Sequence, residues 1–91
     1  METDLTLREA WKKETAREVF NLVWKSFLMN KWLIFDLDDL TIKMIMRTKF
    51  ALRQITLLPD NVCGDIALEI VEEEANIIRA YYLENIYNKG E

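Results

Sequence analysis

The 91-residue sequence has no histidine, one cysteine, one proline and two glycines. Without His, and with Cys63 as the lone thiol, the usual zinc sites cannot be assembled. Ser-His-Asp and Cys-His catalysis and His-ligated haem are excluded for the same reason. One cysteine cannot form an internal disulfide, which fits a reducing compartment. So little Gly and Pro argues against a many-turned β fold. No apolar run approaches the roughly 20 residues that span a bilayer. The start, Met1-Glu2-Thr3-Asp4, is acidic where a secretory signal would be basic and then apolar. These absences lead us to expect a soluble intracellular protein, cytoplasmic or nuclear, with no cofactor, no metal and no membrane contact.

Hydrophobic residues make up 51% of the chain, which disfavours disorder. A chain this short buries only roughly 60–65% of its unfolded surface, so its own core is thin and a partner is expected to add to it. The 12 basic and 16 acidic residues give a net charge of −4. Residues 1–47 are balanced, with eight of each sign, whereas residues 48–91 hold four basic and eight acidic side chains. Nucleic-acid binding by the chain alone calls for the opposite sign.

Hydrophobic spacing predicts three main helices, at about 7–29, 38–55 and 60–88. In the first, Thr6-Leu7-Arg8-Glu9 has the capping-box pattern, and Ala16, Phe20, Val23 and Phe27 recur at helical spacing. Val19, Leu22 and Trp24 widen that stripe. In the second, Leu40, Met44, Ile45 and Leu52 are expected to pack inward, with Ile42, Met46 and Phe50 adding width. Lys43, Arg47, Lys49 and Arg53 supply its basic face. Leu58 before Pro59 ends this helix, because a residue preceding proline avoids the α region. Pro59 then suits the first turn of the third helix. Its stripe runs through Val62, Cys63, Ile66, Ala67, Ile70 and Val71, and on to Ile77, Ile78, Tyr81 and Tyr82. A helix of about 28 residues is near 42 Å long. That exceeds a compact small domain, so part of it is expected to contact another chain.

Residues 31–36, Lys-Trp-Leu-Ile-Phe-Asp, form a short extra element. It is either a strand or a helix-helix connection, and periodicity does not separate these. The longer run Trp32-Leu33-Ile34-Phe35-Asp36-Leu37-Asp38-Asp39 resembles the first motif of haloacid-dehalogenase-type phosphatases. That resemblance implies Asp36 as the nucleophile and Asp38 as the proton carrier, with magnesium between carboxylates. Gly64-Asp65-Ile66-Ala67-Leu68-Glu69 resembles the later acidic motif of that family. The pattern departs at Leu40, where the family has Thr or Val. The gap between the two motifs, about 25 residues, is too short for the intervening strands and helices. Helix-capping acids after an apolar connection are the expected reading of Asp36, Asp38 and Asp39.

A second resemblance covers residues 42–88. Ile42-Lys43-Met44-Ile45-Met46-Arg47, continuing through Leu52-Arg53-Gln54-Ile55-Thr56, is similar to the first helix and loop of histone-fold subunits of the nuclear factor Y gamma type. The resemblance implies a long central helix from Pro59, a head-to-tail partner, and a role in chromatin or transcription.

Other features have plainer readings. Trp11, Trp24 and Trp32 read as core or interface anchors rather than a stacking platform. Met29, Met44 and Met46 read as gap-fillers or an adaptable docking surface. Glu69, Glu72, Glu73 and Glu74 read as a solvated acidic face or a surface for a basic partner rather than a metal site, because neighbours on a helix splay apart. Glu74 falls near the apolar stripe and is expected to pair with Lys or Arg across an interface. Cys63 reads as a small buried residue.

The overall expectation is an all-α bundle acting as a non-enzymatic protein-protein interaction module. Its partner is a second copy or a different subunit of a larger assembly. The residues expected at the interface are Phe20, Val23, Trp24, Phe27, Ile70, Ile77, Ile78, Tyr81 and Tyr82. Glu72 and Glu73 are expected to tune partner choice by charge.

Overall fold

The computed structural model describes residues 2–30 and 32–87, with side chains described from residue 13 onward. Its elements are α1 (Glu2–Asn30), α2 (Leu37–Ile55), α3 (Asp60–Glu73) and α4 (Ala75–Tyr82), with a π-helical turn at Leu83–Tyr87. No strand occurs among the described residues, so the fold is all-α as the sequence implies. The molecule measures 55 × 22 × 20 Å, its long dimension in keeping with a first helix of 29 residues.

Helix α1 begins at Glu2 rather than near residue 7, so Thr6 lies inside the helix and does not start it. Neither Gly nor Pro interrupts the sequence between Glu2 and Leu7, so nothing in it breaks the helix there. The side chains of Thr6 and Trp11 lie outside the described set.

Residues 32–35 are irregular, which makes this segment a connection and not a strand. Its acids hold the start of α2. Asp39 N–H donates to Asp36 Oδ1 at 2.7 Å, and Phe35 N–H donates to Asp39 Oδ2 at 3.0 Å. Lys43 Nζ donates to the same Asp39 oxygen at 3.0 Å and to the Leu33 carbonyl at 2.6 Å. The first two bonds resemble a capping box, in which two side chains satisfy backbone donors reciprocally. At the other end, Thr56 N–H and Thr56 Oγ1 both donate to the Leu52 carbonyl. Pro59 then leads into α3, where Asp60 forms ion pairs with Lys49 Nζ and Arg53 Nη1, each at 3.1 Å. That carboxylate joins the end of α2 to the start of α3.

The single helix expected over 60–88 is divided. Glu74 sits between α3 and α4 at φ −98°, ψ 14°, outside regular helical geometry. Residue 88 lies outside the described residues, and helical structure is described to Tyr87. Two consecutive acids, Glu72 and Glu73, occupy the last turn of α3 with no base in that turn. They face the negative end of the helix dipole, which weakens continuation there. The long central helix implied by the histone-fold resemblance is therefore two shorter ones.

The break lets α4 enter the core. Ile78 is fully buried and belongs to a single core cluster that draws on all four helices. Ala16, Val19, Phe20, Val23 and Phe27 come from α1, Leu40, Met44 and Leu52 from α2, and Cys63, Ala67, Ile70 and Val71 from α3. These stripes match the spacing of the sequence, except that Leu22, Ile42, Met46, Phe50 and Ile77, expected to widen or continue them, face solvent. Thr48 is the one buried polar side chain among the described residues.

Candidate interaction surface

The aromatic residues expected at an interface pack against one another inside the chain. Trp24 and Phe27 of α1 each meet Tyr81 of α4 edge-on at 5.3 Å between ring centroids. Phe27 also meets Trp32 at 5.2 Å, and Phe20 stacks with Trp24 at 6.3 Å. Phe20, Val23, Phe27, Ile70 and Ile78 are core residues, while Trp24, Tyr81 and Tyr82 are half-buried against that core. Of the nine, only Ile77 is exposed, at 50%. The expectation that this set faces a partner is corrected for the buried members. It assumed one straight helix protruding from the domain, whereas the turn at Glu74 gives α4 an internal neighbour.

The glutamates divide in a similar way. Glu73 pairs with Arg17 Nη2 at 3.4 Å and with Lys13 at 3.8 Å, and Glu69 pairs with Lys13 at 3.4 Å. Glu74 lies 3.9 Å from Arg17 Nε. These contacts join α1 to α3 and its end, so Glu73 has cations within its own chain, while Glu72 is exposed. All are exposed or half-exposed, and each contributes less than about 1 kcal/mol.

The phosphatase motif is built differently from what its resemblance implies. Among the described residues no strand precedes Asp36, both Asp36 and Asp39 accept backbone N–H groups at the start of α2, and Asp65 lies within α3. Two bonds set the charge state of Asp39. Donation from Phe35 N–H, and then from Lys43, holds its carboxyl below the ordinary aspartate range. Among the described residues, no three side chains of the metal-ligating types converge.

What remains is the outer face of α2. Leu40, Met44, Thr48 and Leu52 point inward from this helix. On the opposite side, Ile42, Met46 and Phe50 follow one another at intervals of one turn, exposed to 54%, 51% and 51%. A 3.6-residue repeat places such a series on one ridge. Here that ridge lies at the solvent pole, where a surface helix ordinarily carries polar residues. Beside it runs an open groove lined by Lys43, Met46, Arg47, Phe50 and Gln54. The groove continues toward Trp32, Val23 and Ser26. The Arg47 guanidinium lies 4.9 Å from the Trp32 ring centroid, and Lys43 Nζ lies 5.7 Å from that of Phe35. The surface is thus apolar along its crest and cationic along one flank.

The sequence shows these residues but not their role. Ten apolar positions on α2 exceed what one buried face can hold. That excess was the available signal, and it reads equally as a wide core. Met44 is fully buried as a gap-filler, whereas Met46 and Met29 lie on the surface.

No family model matches the chain, and no curated protein or solved structure matches it.

Proposed function

We propose that this chain is a non-enzymatic helical interaction module, an oligomerising or adaptor subunit of a larger assembly, and that α2 carries its docking face. The observation behind this reading is the ridge Ile42-Met46-Phe50 at the solvent pole of an otherwise amphipathic helix. Scattered exposed apolar residues are ordinary, but contiguous ones rimmed by polar groups mark interaction sites. Met and aromatic side chains are also enriched at such sites. The adjoining Lys43 and Arg47 would set the charge of what docks.

The test compares the wild-type chain with Ile42→Glu/Phe50→Glu. Both substituted positions are exposed, so helicity and unfolding midpoint should stay close to wild type. Each protein is immobilised and incubated with host extract plus free copies of the chain, and the retained polypeptides are quantified. The reading expects at least one species, the free chain or another protein, that wild type retains and the variant loses. Equal retention by both would overturn it.

A further inference from the structure

Resting on that reading, we propose that the occupant of the α2 face is a second copy of this chain, packed antiparallel about a two-fold axis through Met46. Met46 is the middle residue of the 19-residue helix Leu37–Ile55. Two pairs of exposed apolar residues stand symmetrically about it. Ile42 and Phe50 stand four residues to either side. Phe35 and Leu57, exposed to 77% and 105%, stand eleven residues to either side, just beyond the helix ends. An antiparallel copy therefore sets apolar against apolar at each of these positions, with Met46 against its own counterpart.

The charges follow the same symmetry. Asp39 lies seven residues before Met46 and Arg53 seven residues after it. Antiparallel packing brings each Asp39 end toward the Arg53 end of the other copy, and it opposes the helix dipoles favourably. Parallel packing would put Asp39 on Asp39 and Arg53 on Arg53. The one like-charged match is Lys43 with Lys49. Each already holds a carboxylate of its own chain, Asp39 at 3.0 Å and Asp60 at 3.1 Å, which offsets the repulsion. A shallow crossing, of the class near 20°, keeps both helix ends adjacent, with helix axes roughly 8–10 Å apart. A single helix pair covers less than the about 800 Å² per partner of a standard stable interface, so the dimer should dissociate on dilution into the micromolar range.

The experiment is oxidation of single-cysteine substitutions to disulfides. Native Cys63 is fully buried, and the wild-type chain is the background control. Leu22→Cys, on the exposed side of α1, is the surface control. Circular dichroism establishes that each variant is folded before oxidation. Met46→Cys should form a covalent dimer at least tenfold faster than Leu22→Cys. An equimolar mixture of Ile42→Cys and Phe50→Cys should cross-link at least tenfold faster than either does with itself. Met46→Cys no faster than Leu22→Cys would overturn the proposal, as would Ile42→Cys preferring its own kind. If a different polypeptide is then retained through α2 in the comparison above, the two-fold dimer is wrong and the interaction reading stands. If neither a dimer nor a retained polypeptide is found, both fail.

Discussion

Thr48 offers the sharpest test of how this small core is built. Its side chain is fully buried on the inner face of α2, and its Oγ1 has no hydrogen-bond partner among the described residues. Thr41 and Thr56 each donate to the carbonyl four residues earlier, at 2.9 Å and 2.6 Å. Thr48 does not, so its hydroxyl has been taken out of water without replacement. An unsatisfied buried hydroxyl costs about 1–3 kcal/mol. Thr48→Val substitutes a methyl of similar size and keeps the β-branch, so rotamer and helix-propensity effects nearly cancel. The methyl is slightly larger, and crowding takes back part of the gain. The expected net is a stabilisation of about 1 kcal/mol, equivalent to roughly 4–8 °C in Tm for a domain of this size. Thr48→Ser is the counter-experiment, because it keeps the hydroxyl and removes the methyl, and it should cost about 1 kcal/mol. Urea unfolding followed by circular dichroism at fixed protein concentration gives both values. The predicted order of stability is Val, then Thr, then Ser. A Val variant less stable than wild type would refute the reasoning, since the hydroxyl would then have a partner worth more than its desolvation.

Three further outcomes follow from the same structure. Gly64 lies inside α3, where an added Cβ would meet only Lys49 Cδ at 3.7 Å, an ordinary contact. Gly64→Ala should therefore raise stability by about 0.5–1 kcal/mol in a urea titration, through a less flexible unfolded chain. Phe27→Ala and Phe50→Ala make the same chemical change at opposite burial. The first should cost about 3–5 kcal/mol and leave little folded protein, while the second should stay within about 0.5 kcal/mol by thermal melting of the monomer. Asp39 has its folded pKa lowered by Phe35 N–H and Lys43, so its contribution is present above the ordinary aspartate pKa. That contribution should fade as pH falls from near 4 through the lower folded value. Asp39→Asn should flatten this acid limb of a stability-against-pH profile, and an unchanged limb would contradict the assignment.

The fold was largely legible because its pattern is simple. Ala16, Phe20, Val23 and Phe27 on α1, and Cys63, Ala67, Ile70 and Val71 on α3, carry the helical period, and each lies in the core. That α2 stops before Pro59 fits the restriction on the residue preceding proline, although the helix already ends at Ile55. The division at Glu74 was not legible, since glutamate is a good helix former and neither Gly nor Pro marks the site. Its cause is a run of acids at a helix end together with the chance to pack Ile78 and Tyr81 on earlier helices, and that chance exists only in the folded chain. The burial of the aromatic set on α1 and α4 was not legible for the same reason. Burial and docking use the same apolar side chains, so Phe27 and Phe50 look alike until the packing of α1, α2 and α4 is known. What set Ile42, Met46 and Phe50 apart was their place on the face of α2 opposite Leu40, Met44 and Leu52. The sequence contained that relation, but it did not reveal which face would be covered.

The central claim is that the outer face of α2 seats a second copy, and light scattering after size exclusion across a dilution series tests it most directly. The wild-type mass should fall from two copies toward one on dilution, while Met46→Glu, equally helical, should remain at one copy throughout. Identical masses for the two proteins at every concentration would contradict the claim.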